Sequence, residues 1–302
     1  MRNCWRILIC TAVLLLAGGC SVKSVYNNAD RLARWSVSDY LDMDRAQRDY
    51  FDQEFAVFMH WHRTTQLPAY AGTLEALEAV TRDGTDSAEI QALFDDMFGW
   101  WEAIEQQGLP MVTELMLSLS DAQLARLPEK LAADNEELGE DEAGRSLEEI
   151  QEHWWREYTD GFSRFSGKLN STQKAHVAAQ SVHYIPQMAL WTDYRRRWQA
   201  DLLDLLRNER EDPEKFAAAF EALTKLRRSY YGAELTAVFA ANERLARDVG
   251  VWLINNLNEK QKERFSERLL EYAGLFRELV AEAPVAPPEG GACLVRCPAA
   301  AD

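Results

Sequence analysis

The sequence lacks the compact motifs that mark many catalytic sites. It contains no G-x-S-x-G, no glycine-rich phosphate loop and no H-E-x-x-H, so it offers no recognisable nucleophile, phosphate cradle or zinc pair. Cysteine is also scarce: the five cysteines stand at positions 4, 10, 20, 293 and 297. The long stretch between the third and the fourth has no thiol for nucleophilic work. These absences predict a non-catalytic protein without a bound cofactor or metal.

Lysine and arginine are also few relative to the acidic residues. Lysine and arginine number 33 against 49 acidic residues, which gives a net charge of −16. An acidic surface repels nucleic acid, so the sequence predicts no nucleic-acid partner. Hydrophobic residues make up 47% of the chain and include ten tryptophans, which is ample for a packed core.

The apolar run near the N-terminus is too short to span a bilayer. It covers Ile7–Ala17, whereas a membrane-spanning helix needs about 20 apolar residues. Arg2 and Arg6 precede it and small residues follow it, which is the pattern of a cleavable signal peptide. We therefore predict a signal peptide at 1–19.

Cys20 directly follows Ala17, Gly18 and Gly19. The arrangement resembles the signals of bacterial lipoproteins, although Leu is commonest where Ala17 stands. The resemblance implies a covalent lipid on Cys20, and several acyl chains suffice for stable anchoring. Ser21, in place of Asp, implies an outer-membrane location with the body in the periplasm. The alternative is an ordinary signal peptide with an incidental cysteine.

The rest of the chain lacks the period-two alternation of strands. Apolar residues recur at helical spacing instead; one such stripe comprises Ile150, Trp154, Tyr158, Phe162, Phe165 and Leu169. This pattern predicts an all-α multi-helix bundle, with long helices near 171–208 and 213–254.

Helix breaks are predicted where the chemistry disfavours continuation. Gly108 and Pro110 predict a helix end followed by a new start. Pro128 and Pro186 lie within helical patterns and should kink or divide them. The acidic stretch 135–149 contains two glycines and is the best candidate for a boundary between two halves.

The predicted organisation follows from these breaks. It consists of the signal peptide 1–19, a lipidated N-terminus and lead-in at 20–40, a helical half at 41–140, an acidic connector and bridging helix at 141–164, a second helical half at 165–282 and a tail at 283–302. The tail is rich in Pro, Gly and Ala, cannot form a core, and is predicted to be flexible.

One motif occurs four times: an apolar residue, then Asp, Ser or Asn, two variable residues and Gln. The copies are MDRAQ (43–47), LSDAQ (119–123), LNSTQ (169–173) and LNEKQ (257–261). Asp, Ser and Asn cap helix N-termini, and a Gln three residues later can return a hydrogen bond to the cap backbone. The motif therefore predicts four helix starts. Because 126 positions separate Asp44 from Asn170 and also Asp86 from Asp212, duplication of a helical half is one interpretation.

His60 and His62 are the most metal-like pair. On a helix, residues two apart point about 200° apart, so the two rings cannot share an ion unaided. A core or interface histidine is the simpler interpretation for His62. The alternative is a His-dependent metal-binding or hydrolytic envelope enzyme that uses both histidines and Arg63.

Aromatic residues supply the candidate binding site. Trp100 is adjacent to Trp101, and Trp154 is adjacent to Trp155. Adjacent residues cannot both lie at the centre of one helix face, so one ring of each pair could lie at a boundary or in a groove. Together with Trp61, His62 and Arg63 they form our candidate surface for a peptide or another envelope protein; plain core packing is the alternative.

The tail carries the last two cysteines, Cys293 and Cys297. In an oxidising periplasm they could form a local disulfide. The other interpretation of C-x₃-C is a metal or redox site, but no histidine lies near.

Residues 20–71 resemble the N-terminal signature of an uncharacterised proteobacterial lipoprotein family. The matching features are Cys20, Tyr26-Asn27-Asn28, Arg34-Trp35, the helix start Asp44 to Gln47, Trp61-His62-Arg63 and Leu67-Pro68. This resemblance implies a lipid-anchored envelope protein with an all-helical body, and it implies no activity. The four capping motifs also resemble the L-T-x-x-Q motif of small periplasmic chaperones, with Thr replaced throughout. Together these features favour a non-catalytic helical binding, chaperone-like or scaffold module that contacts the membrane through its anchor. They leave its oligomeric state unspecified.

Overall fold

The computed structural model describes residues 19–140 and 142–295, with the backbone alone for 19–21. Helices and connecting turns account for this part of the chain, which contains no strand, so the all-α prediction is confirmed. The signal peptide and Cys297 lie outside the described residues. The helices are α1 (Gly19–Tyr26), α2 (Ala29–Leu41), α3 (Arg45–Trp61), α4 (Leu67–Asp83), α5 (Ser87–Leu117), α6 (Asp121–Glu140), α7 (Leu147–Ser166), α8 (Ser171–Ser181), α9 (Met188–Asn208), α10 (Pro213–Lys225), α11 (Gly232–Asn255) and α12 (Glu259–Ala281). A π-helical turn, His62–Gln66, joins α3 to α4, and a 3₁₀ turn, Arg227–Tyr231, precedes α11.

The four repeated motifs all begin helices, as predicted. Asp44, Asn170 and Asn258 each form a complete capping box with the Gln three residues later. Ser120 does the same, because its backbone N–H donates to Gln123 Oε1 and its hydroxyl accepts from the Gln123 N–H. Each cap stabilises its helix by about 1 kcal/mol.

The four glutamines do more than close their own boxes: they meet in pairs. Gln47 and Gln123 exchange amide hydrogen bonds of 3.3 and 2.8 Å, and Gln173 and Gln261 exchange bonds of 2.9 and 3.0 Å. Each pair ties together two helix starts that are far apart in sequence.

The two glutamine pairs share a second regularity. Each amide nitrogen also donates to the carbonyl two residues before its partner's cap; these carbonyls belong to Ser118, Asp42, Asn256 and Lys168. The same hydrogen-bond pattern therefore occurs once within 41–140 and once within 165–282. Two related helical halves stay a prediction, and this repeated hydrogen-bond pattern is one that duplication would produce.

The helices of 41–140 and those of 165–282 pack against one another. The most extensive helix–helix contact joins α4, from the first half, to α12, from the second. Leu257, Phe265 and Leu269 pack there against Leu74 and Leu77. A larger core is formed in the first half and is completed by Leu202, Leu206, Phe216, Phe220 and Leu223 from α9 and α10.

The predicted long helices are both divided. The segment 171–208 splits into α8 and α9 around residues 182–187, and Pro186 provides the reason, since it has no N–H to donate. The segment 213–254 splits at the 3₁₀ turn before α11, where Gly232 has a φ of +72°. No sequence signal had pointed to this second break.

The helix break predicted at Gly108 and Pro110 is wrong, and Pro128 does not divide its helix, although a kink at Pro128 stays a prediction. α5 continues through Gly108 and Pro110, and α6 continues through Pro128. Around Pro110, the neighbouring Leu109, Met111 and Val112 pack against the main core. This packing outweighs the one backbone hydrogen bond that Pro110 removes, because tertiary contacts override local propensity. Among the described residues, no helix is sufficiently long and apolar to cross a bilayer.

Candidate functional site

His62 opens the π-helical turn between α3 and α4. The N–H of Leu67 bonds to the His62 carbonyl, five residues back. Pro68 follows and lacks an N–H for the Thr64 carbonyl, which favours a local departure from α-helical bonding. Thr65 donates its hydroxyl to the Trp61 carbonyl at 2.6 Å and stabilises the turn. π-helical turns of this kind recur at functional sites.

The His62 ring lies between two tyrosine hydroxyls. Tyr26 Oη is 2.9 Å from Nδ1, and Tyr70 Oη is 3.4 Å from Nε2. Burial, with a smaller contribution from the neighbouring Arg63 cation, lowers the pKa of His62 to about 4. Burial also raises the pKa of Tyr26 to about 12. At neutral pH the three groups are therefore uncharged and hydrogen-bonded to one another.

Arg63 and Trp100 complete this His62 cluster. Arg63 donates to Asn27 Oδ1 at 2.8 Å, and its guanidinium carbon lies 5.2 Å from the centre of the Tyr26 ring. The Trp100 ring lies 4.3 Å from that of Tyr70, and Trp61 contacts Phe58 at 5.6 Å between ring centres. The predicted residues Trp61, His62, Arg63 and Trp100 thus lie together.

Tyr26 and Tyr70 are the partners that sequence reasoning did not assign to the site. Tyr26 belongs to the Tyr26-Asn27-Asn28 element that carried the family resemblance, so that element was the available signal. Tyr70 had no such signal, because its approach depends on the π-helical turn.

The remaining tryptophans lie elsewhere. Trp154 packs at 5.6 Å from the Tyr184 ring, and Trp155 donates to the Lys174 carbonyl at 3.1 Å. Both belong to the packed interface of α7, α8 and α11. Trp101 is more exposed, and its indole N–H donates to Glu105 at 2.6 Å. Four of the seven candidates therefore lie together, whereas Trp101, Trp154 and Trp155 lie elsewhere. The seven do not line one shared groove.

Trp101 belongs to an exposed apolar strip on α5, which we call the α5 strip. Its members Met97, Phe98 and Trp101 are 49%, 46% and 37% exposed. Arg228 lies 5.9 Å above the Phe98 ring and pairs with Glu102 at 2.7 Å. An apolar centre with ion pairs at its rim is typical of protein-interaction surfaces.

No metal site is evident among the described residues, since no group of three His, Cys, Asp or Glu side chains could hold an ion there. His60 and His62 do not converge: His62 is engaged by the two tyrosines. His176 stacks on Trp252 at 3.8 Å between ring centres.

The N-terminal lead-in is integral to the fold. α1 includes Cys20 in its backbone, and Val22 and Tyr26 are buried against α12. Lys23 pairs with Glu282 at 2.5 Å. Only one residue therefore separates Cys20 from the first buried side chain.

In the described part of the tail, up to residue 295, no helix or strand follows Ala281, and residues 291–295 contact the body. Gly291 N–H donates to Glu54 Oε1 at 2.6 Å, and Val295 N–H donates to Glu114. Cys293 Sγ lies 3.5 Å from Glu114 Oε1. Because Cys297 lies outside the described residues, its pairing with Cys293 stays a prediction.

Comparison with known proteins adds one match. A model of DUF6279, a family of unknown function, matches residues 39–235, from within α2 to the first turn of α11. The match covers the π-helical turn and the α5 strip, but it excludes α1, α12 and the tail. No curated protein and no solved structure matches the chain. Since the matched region covers about two thirds of the sequence, the chain belongs to the DUF6279 family of unknown function.

Proposed function

We propose that the protein is an outer-membrane-anchored periplasmic lipoprotein whose helical body is a non-catalytic binding or scaffold module for another envelope protein. The α5 strip carries this proposal. It leaves three large apolar side chains, Met97, Phe98 and Trp101, exposed on consecutive turns of one helix. An exposed apolar strip costs solubility, so its burial by a partner is the simplest physical explanation.

The surroundings of the strip support a protein partner. Leu226 is 58% exposed and lies two residues before Arg228, which covers Phe98. Arg227 pairs with Glu105, and Arg228 pairs with Glu102. A partner could therefore bury the apolar centre while the ion pairs remain at the wet rim, where charges cost little.

The anchor and the strip are tested separately. Cys20→Ala should move the protein from the membrane fraction to the soluble periplasmic fraction, because it removes the acylated thiol. If the variant stays as firmly membrane-bound as the wild type, the anchor assignment is wrong.

The binding role is tested by site-specific photo-crosslinking in the native envelope. A photoreactive amino acid at Met97 should give a discrete adduct, and Trp101→Ser in the same chain should reduce its yield several-fold. Leu270 is a matched control, since it is 43% exposed and belongs to a different helix, α12. Identical adducts from positions 97 and 270, or insensitivity to Trp101→Ser, would contradict the proposal.

The His-dependent enzyme is not favoured by this geometry. Both ring nitrogens of His62 lie within hydrogen-bonding reach of tyrosine hydroxyls, and a catalytic base needs one nitrogen directed at substrate.

A further inference from the structure

Residues 290–295 of the tail lie against α3 and α5 in a way that resembles a bound peptide. Backbone N–H groups of Gly291 and Val295 donate to Glu54 on α3 and Glu114 on α5. Hydrogen bonds to ionised carboxylates are about twice as strong as neutral ones. The contacts use the main chain, so they hold any segment of suitable shape.

Shape at this place is restrictive. A Cβ at Gly291 would lie 2.9 Å from a Tyr50 ring carbon and 3.2 Å from the Tyr50 carbonyl oxygen. A side chain at position 291 would therefore force Tyr50 or the tail segment to shift. At Gly290 a Cβ would approach Glu54 Oε1 to 2.7 Å, and that flexible carboxylate could shift.

The segment also has an apolar contact. Leu294 packs against the main core cluster, which includes Tyr50 and Leu115. Gly291, Cys293 and Leu294 are partly buried, whereas Ala292 between them is exposed. The segment therefore combines a glycine, two main-chain donors and one apolar side chain.

We propose that the cleft between α3 and α5, formed by Tyr50, Glu54 and Glu114, is a binding site for a glycine-containing peptide. Residues 290–295 are its resident ligand, and they exclude other peptides while they are bound. The site is distinct from the α5 strip, since Glu114 lies near the C-terminal end of α5 and the strip lies near its middle.

Occupancy by the tail has a measurable consequence for an added peptide. The apparent affinity of a site falls by the fraction of time that it is available. If the tail fills the cleft for about 90% of the time, a free peptide binds the wild type about tenfold more weakly than it binds an open cleft.

Accessibility of Cys293 tests tail docking. The full chain is reduced and treated with N-ethylmaleimide, and modification is followed by mass spectrometry of the tryptic peptide that carries Cys293. Gly291→Val should accelerate labelling about tenfold. Val285→Thr is the matched tail control, because Val285 is fully exposed and its replacement should leave the rate unchanged. Equal rates for wild type and Gly291→Val, with helicity intact, would overturn docking.

Peptide binding tests the cleft itself. The probe is a fluorescein-labelled peptide, APPEGGASLV, which reproduces residues 286–295 with Ser in place of Cys293. By fluorescence polarisation it should bind the Gly291→Val chain about tenfold more tightly than the wild type. Adding Glu54→Ala should weaken this binding several-fold, and the peptide APPEVVASLV should not compete. The cleft assignment is wrong if the two chains bind the probe equally or if Glu54→Ala has no effect.

Discussion

The side-chain amides of Gln173 and Gln261 bond to each other in both directions, at 2.9 and 3.0 Å, and both residues are buried. Each oxygen also accepts the N–H of its own cap residue. Each nitrogen also donates to a carbonyl before the partner's helix, at Asn256 and Lys168. All donor and acceptor positions of both amides are therefore satisfied inside the protein.

This arrangement makes the two glutamines energetically interdependent. Gln261→Leu removes the glutamine half of the capping box of α12 and leaves both the nitrogen and the oxygen of the buried Gln173 amide one hydrogen bond short. We expect a loss of about 2–4 kcal/mol in the free energy of unfolding, since an unsatisfied buried polar group costs about 1–3 kcal/mol and a lost cap about 1. Urea unfolding followed by circular dichroism measures it.

A double-mutant cycle separates the interaction energy of the two glutamine amides from the contributions of the two helix caps. Gln173→Leu with Gln261→Leu should cost clearly less than the sum of the two single changes, because the second change removes a group that the first left unpaired. Additivity within about 0.5 kcal/mol would show that the amides do not interact. Gln180→Leu is a control, since Gln180 is only partly buried on α8.

For the Gln173–Gln261 pair, the sequence predicts the two helix starts but not the contact between them. Asn258 and Gln261 identify a helix start because cap chemistry acts over three residues. Their pairing with Asn170 and Gln173 depends on how distant segments pack, and no short window contains that information. The equal spacing of Asp44 and Asn170 was the one long-range signal, and the shared hydrogen-bond pattern supports it.

The difference between local signals and long-range packing also explains why the prolines do not end their helices. Pro110 and Pro128 are local stop signals, yet α5 and α6 continue through them, since packing along the helices outweighs one missing N–H. His62 was recognised as a site residue, and a core or interface histidine was the favoured interpretation. Its tyrosine partners followed only from the docking of α1 and from the π-helical turn.

His62 should make stability depend on pH. Its folded pKa is about 4, whereas an unfolded histidine has a pKa of about 6.5. Below pH 6.5 the unfolded chain binds a proton that the folded protein does not, so stability falls as the pH drops toward 4. The loss from this group is on the order of 2 kcal/mol, allowing for partial exposure of the ring.

The contribution of His62 to the pH dependence of stability is obtained by comparing the wild type with a variant that lacks the imidazole. Unfolding free energies are measured between pH 4.5 and 7 for the wild type and for His62→Gln, which cannot titrate. The difference in unfolding free energy between the two proteins should narrow steadily as the pH falls. Parallel pH curves for wild type and His62→Gln would contradict a neutral, buried ring.

Asn255 should join the two halves at the end of α11. Its Oδ1 accepts the Thr85 N–H at 2.9 Å, and its Nδ2 donates to the Thr85 carbonyl at 2.8 Å. Asn255→Ala leaves both backbone groups of the mostly buried Thr85 without this partner, and we expect a loss of about 1–3 kcal/mol. Asn256→Ala, which removes one bond within its own helix, should cost less. Equal thermal stabilities of the two variants would show that the contact between the halves contributes nothing.

Two helix glycines should respond differently to the same substitution. Gly274, on exposed surface of α12, has no atom within 4 Å of an added Cβ, whereas at Gly250 the Cβ would lie 3.1 Å from Tyr158 Oη. That hydroxyl donates to the Ala246 carbonyl at 2.7 Å, so it cannot yield without weakening the bond. Alanine favours a helix over glycine by about 1 kcal/mol. Gly274→Ala should therefore raise the melting temperature by a few degrees, and Gly250→Ala should gain nothing or lower it. If both changes stabilise equally, the Tyr158 contact between α7 and α11 is looser than the structure shows, because only a mobile Tyr158 could accept the methyl group without cost.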